Sequence, residues 1–107
     1  LRFLREGEMN FTSIGKWWLK NEEIDLVALD EENGIAYFGE CKWSRQRVQE
    51  GVFDDLVKKS HLVDWHRGKR KDRFILFSKS GFTESMQKLA QEKEIILVEG
   101  EKRIYPK

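Results

Sequence analysis

Within residues 23–43, EIDLVALDEENGIAYFGECKW, three charged residues interrupt the two apolar-rich runs 24–29 and 35–43: Asp25, Glu40 and Lys42. Two carboxylates with an ammonium beside them suit one chemistry in particular. Hard oxygen donors recruit Mg²⁺ or Mn²⁺, and Mg²⁺ keeps most of its water and takes only one or two protein carboxylates. Such a cation lowers the pKa of a bound water and steadies charge on a phosphoryl oxygen, while a lysine positions the nucleophile or balances developing charge. The competing reading is a solvated strand face with a Glu40–Lys42 ion pair.

The elements around these residues must bring them together. Residues 24–29 and 35–43 read as two short strands, with Glu31-Glu32-Asn33-Gly34 between them. Asn-Gly in that setting predicts a hairpin, because both residues tolerate the positive φ of a type I′ turn. Glu40 and Lys42 are two apart, so they share a strand face about 7 Å apart. A two-residue loop pairs Glu32 with Ile35 and sets Asp25 opposite Lys42. A four-residue loop pairs Asp30 with Ile35 and sets Asp25 opposite Glu40. Either gathers all three residues, whereas a three-residue loop scatters them. Glu23 shares the face of Asp25 and is a candidate secondary ligand.

The spacing D…E-x-K after a hairpin resembles the PD-(D/E)xK nuclease superfamily, which includes restriction endonucleases and archaeal Holliday-junction resolvases. The run GKWW…EIDLVALDEENGIAYFGECKW also resembles a domain of unknown function at the C-terminus of archaeal-type P-loop ATPases. That likeness is residue-specific over residues 14–43 and one of pattern beyond them. It implies a restriction endonuclease-like α/β fold: a mixed central sheet, a three-strand meander followed by β-α-β units, with helices on both faces. It implies Mg²⁺ or Mn²⁺ held by Asp25, Glu40 and the backbone carbonyl of Cys41, with Lys42 assisting attack on a DNA phosphodiester. Superfamily members often carry a Gln or Lys early in the next helix; Gln49 fits that place, with Gln46 second. An acid from the first helix would be Glu6 or Glu8. The implied partners are DNA and a P-loop ATPase in the same chain or complex. The alternatives are a non-catalytic DNA-binding or protein-docking module on the same fold, or a dimerisation domain, which would make the protein a homodimer.

A chain of 107 residues is expected to be one domain with a single core. Hydrophobic residues make up 39% of it, which excludes an intrinsically disordered chain. The net charge is only +1, but residues 1–53 carry −3 and residues 54–107 carry +4, so the candidate metal site lies in the acidic half. Cys41 is the only cysteine, which rules out an internal disulfide; alternation with Glu40 and Lys42 turns it to the other face, where a buried structural role is expected. No apolar run approaches a membrane span and nothing reads as a signal peptide, so a cytoplasmic, non-membrane location is expected.

Along the rest of the chain, residues 1–6 read as the tail of a helix, and the start without Met suggests a C-terminal piece of a larger protein. Residues 11–20 read as a strand carrying Trp17 and Trp18. A helix is predicted over 49–67, with Val52, Phe53, Leu56, Val57, Ser60, Val63 and His66 on one stripe and Gly68 closing it. Lys58, Lys59, Arg67, Lys69, Arg70, Lys71 and Arg73 form a candidate patch for nucleic-acid phosphates. His61 and His66 lack the spacing of a metal or catalytic pair. Residues 74–78 read as a buried central strand, Thr83 as the N-cap of a helix to 94, and 95–98 as a last strand with 104–105 pairing at an edge. No Gly-rich phosphate loop is present, so the chain is not expected to hydrolyse nucleotide itself.

Overall fold

The computed structural model describes residues 13–19, 21–100 and 102–106. Its organising unit is the hairpin of β2 (Glu22–Asp30) and β3 (Ile35–Lys42), which pair from Asp30↔Ile35 to Leu26↔Gly39. The connection is the four-residue loop rather than a type I′ turn: only Gly34 has positive φ, at 67°. The buried Asp30 explains the choice. Its carboxylate accepts from the Asn33 N–H at 3.1 Å and from the Asn33 side-chain amide at 2.8 Å, so the loop closes on Asp30 rather than on Glu32.

β1 (Ser13–Leu19) pairs antiparallel with β2 on the other side, with a register shift between Gly15 and Trp17. β4 (Lys71–Ser78) and β5 (Ile96–Glu99) continue the sheet in parallel, and β6 (Lys102–Tyr105) closes it antiparallel. The spatial order of the six strands is the chain order.

Two helices cross between the parallel strands, α1 (Glu50–Ser60) and α2 (Glu84–Lys93). Because β3, β4 and β5 step in one direction, right-handed crossovers place both helices on the same face. There Phe53 and Leu56 of α1 and Met86 and Ala90 of α2 cover Phe38, Leu76 and Leu97. The opposite face has its own buried cluster, including Leu26, Tyr37, Ile75, Phe77 and Val98. Among the described residues no helix lies there. The helix expected at 1–6 falls outside the described residues, as do Glu6 and Glu8.

The predicted helix over 49–67 stops at Ser60. Arg70 supplies the reason: its guanidinium donates to the carbonyls of Ser60 (2.8 Å), Val63 (2.7 Å) and Trp65 (2.8 Å). Those carbonyls are satisfied without further helical turns, and the Ser60 hydroxyl donates back to Val57 at 2.6 Å. His66 and Gly68 then take positive φ in a turn rather than ending a helix. The second helix agrees with its prediction, the Thr83 hydroxyl accepting from the Met86 N–H at 3.1 Å.

Candidate active site

Continuing the β2–β3 register one pair beyond Leu26↔Gly39 sets Asp25 opposite Glu40. The ladder changes character at this point. The Cys41 N–H donates to the Asp25 carboxylate at 2.8 Å, so a side chain replaces the backbone acceptor. A strand residue points its N–H and C=O toward the same neighbour. The Lys42 carbonyl faces β4, where it accepts from the Lys79 N–H at 3.2 Å, and the Cys41 carbonyl therefore points toward β2 and Asp25. Gly39 lets the strands approach here: a Cβ on it would stand 3.0 Å from the Leu26 Cβ and 3.3 Å from Phe77.

Glu40 is 8% exposed and Asp25 half-buried. Burial, then the hydrogen bond and the negative charge of Asp25, push the Glu40 carboxyl up to about 7, against the opposing pull of Lys59. For Asp25, burial alone would raise the pKa. Hydrogen bonds with Glu40, the Cys41 N–H and Glu23 outweigh it, and the group lies below its ordinary value. The two carboxyls thus share one proton up to near neutrality, carried on Glu40.

The lysine on this pair is not the expected one. Lys59 of α1 reaches Glu40 at 3.3 Å, with its side chain 24% exposed. It stood in the sequence as one member of a basic cluster, and only the crossing of α1 over β3 reveals its partner. Lys42 is exposed and makes no ion pair with a described residue. It lines a shallow hollow with Gln46, Gln49 and Arg47. Gln49 occupies the N-cap position of α1 but makes no side-chain cap bond. Glu23 pairs with Lys16 at 2.9 Å and accepts from the Trp18 indole at 3.1 Å. Cys41 is exposed rather than buried. It lies one residue from the end of β3, where its same-face neighbour, Gly39, offers no side chain.

The predicted basic patch does not hold together. Arg70 is 5% exposed in its side chain, bound to Asp72 at 2.6 Å, and stacked 5.1 Å from the Phe38 ring. It is a brace for the loop between α1 and β4, so it leaves the phosphate-binding set. Lys59 leaves it for Glu40, and Arg67 donates to the His61 carbonyl at 2.6 Å. Lys58, Lys71 and Arg73 line a groove between α1, β4 and α2, with Asp54, Asp72 and Glu94 among them. Lys69 is exposed on the loop leading into β4. In the register, Lys71 pairs with Ile35 and Leu76 with Glu40, so the start of β4 lies about 16 Å along the sheet from the carboxylates.

Two carboxylates and one backbone carbonyl converging at the end of a hairpin fit a hard divalent cation that retains several waters. Among the described residues no group of three or more His, Cys, Asp and Glu side chains forms a fuller cage.

Residues 1–59 match the family described as "DUF234: Archaea bacterial proteins of unknown function". The chain belongs to that family. A stretch of 55 residues is 44% identical to the uncharacterized protein MJECL04 of Methanocaldococcus jannaschii, covering 50% of this chain and 12% of that protein. The chain therefore spans only a small part of the length of its curated relative. Three solved structures share the fold. A repair endonuclease from Pyrococcus abyssi has a TM-score of 0.56 and 16% identity over 94% of this chain and 45% of its own. EndoMS in complex with double-stranded DNA has 0.54 and 15% over 94% and 42%. AF1548, a protein of unknown function, has 0.53 and 22% over 90% and 52%. The mixed sheet with its crossing helices is thus a restriction endonuclease-like, PD-(D/E)xK-type fold. No described helix is long and apolar enough to cross a membrane.

Proposed function

We propose that Asp25 and Glu40 form the metal-binding centre of a nuclease-type domain acting on DNA phosphodiesters. The observation that carries this is the carboxyl pair itself, Glu40 buried and Asp25 beside it holding the Cys41 N–H at the open end of the hairpin. A buried Glu40 raised to about 7 against Asp25 is costly for a structural ion pair and is relieved by a bound cation. Asp25, Glu40 and the Cys41 carbonyl would hold Mg²⁺ or Mn²⁺, which when bound activates a water and steadies phosphoryl charge. With a cation bound, Glu40 would be held as its carboxylate with Lys59 balancing the charge, and the exposed ammonium of Lys42 would attend the attacked phosphate. Gln49 stands on the rim beside Lys42. DNA is the substrate that the solved relatives favour, since one is a repair endonuclease and another was captured on double-stranded DNA. Attachment to a P-loop ATPase, with this chain as its C-terminal domain, is supported by the likeness of residues 14–43 and by the much greater length of the archaeal relative.

Calorimetric titration with Mn²⁺ tests the centre. Saturable binding is expected in the wild type, with close to one proton released per cation below about pH 7, and loss of binding in Asp25→Asn. Cleavage of DNA in Mg²⁺ should fall by at least about 100-fold in Lys42→Ala, whose exposed side chain contributes little to folding. Unchanged cleavage refutes the role of Lys42. The second reading, a non-catalytic DNA-binding or docking module, is favoured by the Glu40–Lys59 ion pair. Absence of Mn²⁺ binding in the wild type would establish it over the first.

A further inference from the structure

Trp18 and Trp43 are each 64% exposed, and both lie beside the carboxylate pair. Trp18 pairs with Glu23 across β1 and β2, and the β2–β3 register brings Glu23 level with Lys42. The neighbouring pair, Trp17 and Ile24, packs into the core under the helices, so Trp18 and Glu23 stand on the other face of the sheet from Glu40 and Lys42, at the same end of it. Trp18 reaches the carboxylates through Glu23, which accepts from its indole and is itself hydrogen-bonded with Asp25. The Trp18 ring is held at its edge by the indole bond to Glu23 and on one face by Lys16, 5.6 Å above its centroid, and it remains 64% exposed. Trp43 follows Lys42 directly and opens the loop to α1.

That loop is basic and tethered. Residues 41–49 contain Lys42, Arg45 and Arg47 and no acid. Lys79, on the neighbouring loop after β4, adds a fourth cation, and none of the four makes an ion pair with a described residue. The two loops are clipped together by the Ser80 hydroxyl donating to the Ser44 carbonyl at 2.6 Å, and by the Val48 N–H donating to Gly81 and the Thr83 N–H to Val48. The cations are thus presented from an ordered rim rather than from a free tail.

We propose that this rim is a single-strand track: Trp18 and Trp43 stack on unpaired bases while Arg45, Arg47 and Lys79 hold the phosphates, leading the strand past Asp25 and Glu40. Aromatic faces interleaved with cations suit single strands, because every base has a π-face to offer once it is unpaired. In a duplex those faces are already stacked on one another, and exposed indoles find no partner. The track rests on the nuclease-type reading for what it delivers to the carboxylates, but strand binding itself needs no metal.

The test is fluorescence anisotropy in EDTA, using the 107-residue chain and a labelled single-stranded oligodeoxynucleotide of about 16 nucleotides, long enough for one site. Single strand should bind at least tenfold more tightly than duplex of the same length. Trp18→Ala and Trp43→Ala should each weaken it about tenfold, with Trp43→Phe retaining most of the affinity. Arg45→Ala/Arg47→Ala should lower the slope of log affinity against log salt by about 1.4. Lys58→Ala/Lys71→Ala should change neither. Duplex binding as tight as single strand, or insensitivity to both tryptophans, overturns the track. Because no metal is present, either failure leaves the Mn²⁺ test of the carboxylate pair standing on its own.

Discussion

The two ends of the central parallel pair, β3 and β4, hold most of the charge clusters that stand out in the sequence, and the fold treats them oppositely. At the C-terminal end, Asp25 and Glu40 are pressed together with too little positive charge to keep both ionised, and the nearby Lys42, Arg45 and Arg47 make no ion pair with a described residue. At the N-terminal end, Arg70 spends its guanidinium on three carbonyls, a carboxylate and an aromatic ring. Charge density alone does not separate a site from a brace. What separates them is whether the partners are used up within the fold.

Replacing Arg70 should break the comparison most severely. Arg70→Ala leaves the Ser60, Val63 and Trp65 carbonyls without their donor and is expected to cost about 3 kcal/mol or more in urea denaturation. Arg70→Lys should recover little of it, because one ammonium cannot reproduce the planar fork. Next is Gly39→Ala, expected to cost about 2 kcal/mol because Leu26 and Phe77 must move to admit a Cβ; Mn²⁺ affinity should fall with it, since Asp25 and Glu40 flank the shifted pair.

A smaller effect of opposite sign is expected at the carboxylates. The folded-state pKa of Glu40 lies above its unfolded value, so the folded chain binds more protons between about pH 4.5 and 7. Its contribution is fully present below that window and is lost as pH rises through about 7. Glu40→Gln should therefore stabilise the metal-free chain at pH 8 by about 1 kcal/mol and flatten the stability profile across the window, while abolishing Mn²⁺ binding. A wild-type profile already flat there would show that the pair does not share a proton. Lys71→Ala closes the series, with an expected change within about 0.5 kcal/mol.

The hairpin and its opposed acids were legible because β-strand alternation is a local rule: once the loop closes on Asp30, Asp25 and Glu40 have no other place to go. The central strand and the Thr83 cap were legible for the same reason. The end of α1 was not, since its stripe continues past Ser60 and the residue that stops it, Arg70, acts from ten positions away. Lys59 and Arg70 were indistinguishable from their basic neighbours for a related reason. Their roles depend on how α1 lies over β3 and how the loop folds back on Phe38, and neither is written in any spacing. One signal was available for the rim: residues 41–49 are basic and acid-free, directly after the candidate lysine.

A sheet whose strands stand in chain order also has a consequence in time. Each strand pairs with the next one made, and the long loops to be closed are the two helical crossovers, β3 to β4 and β4 to β5. Asp25 and Glu40 are separated by a single hairpin, and Lys59 follows within one helix. This topology favours a folding order in which the candidate site forms early, ahead of the β5–β6 edge. Pulse-labelled hydrogen exchange would show protection at Leu26 and Gly39 before Leu97 if that is so, and the reverse order would exclude it.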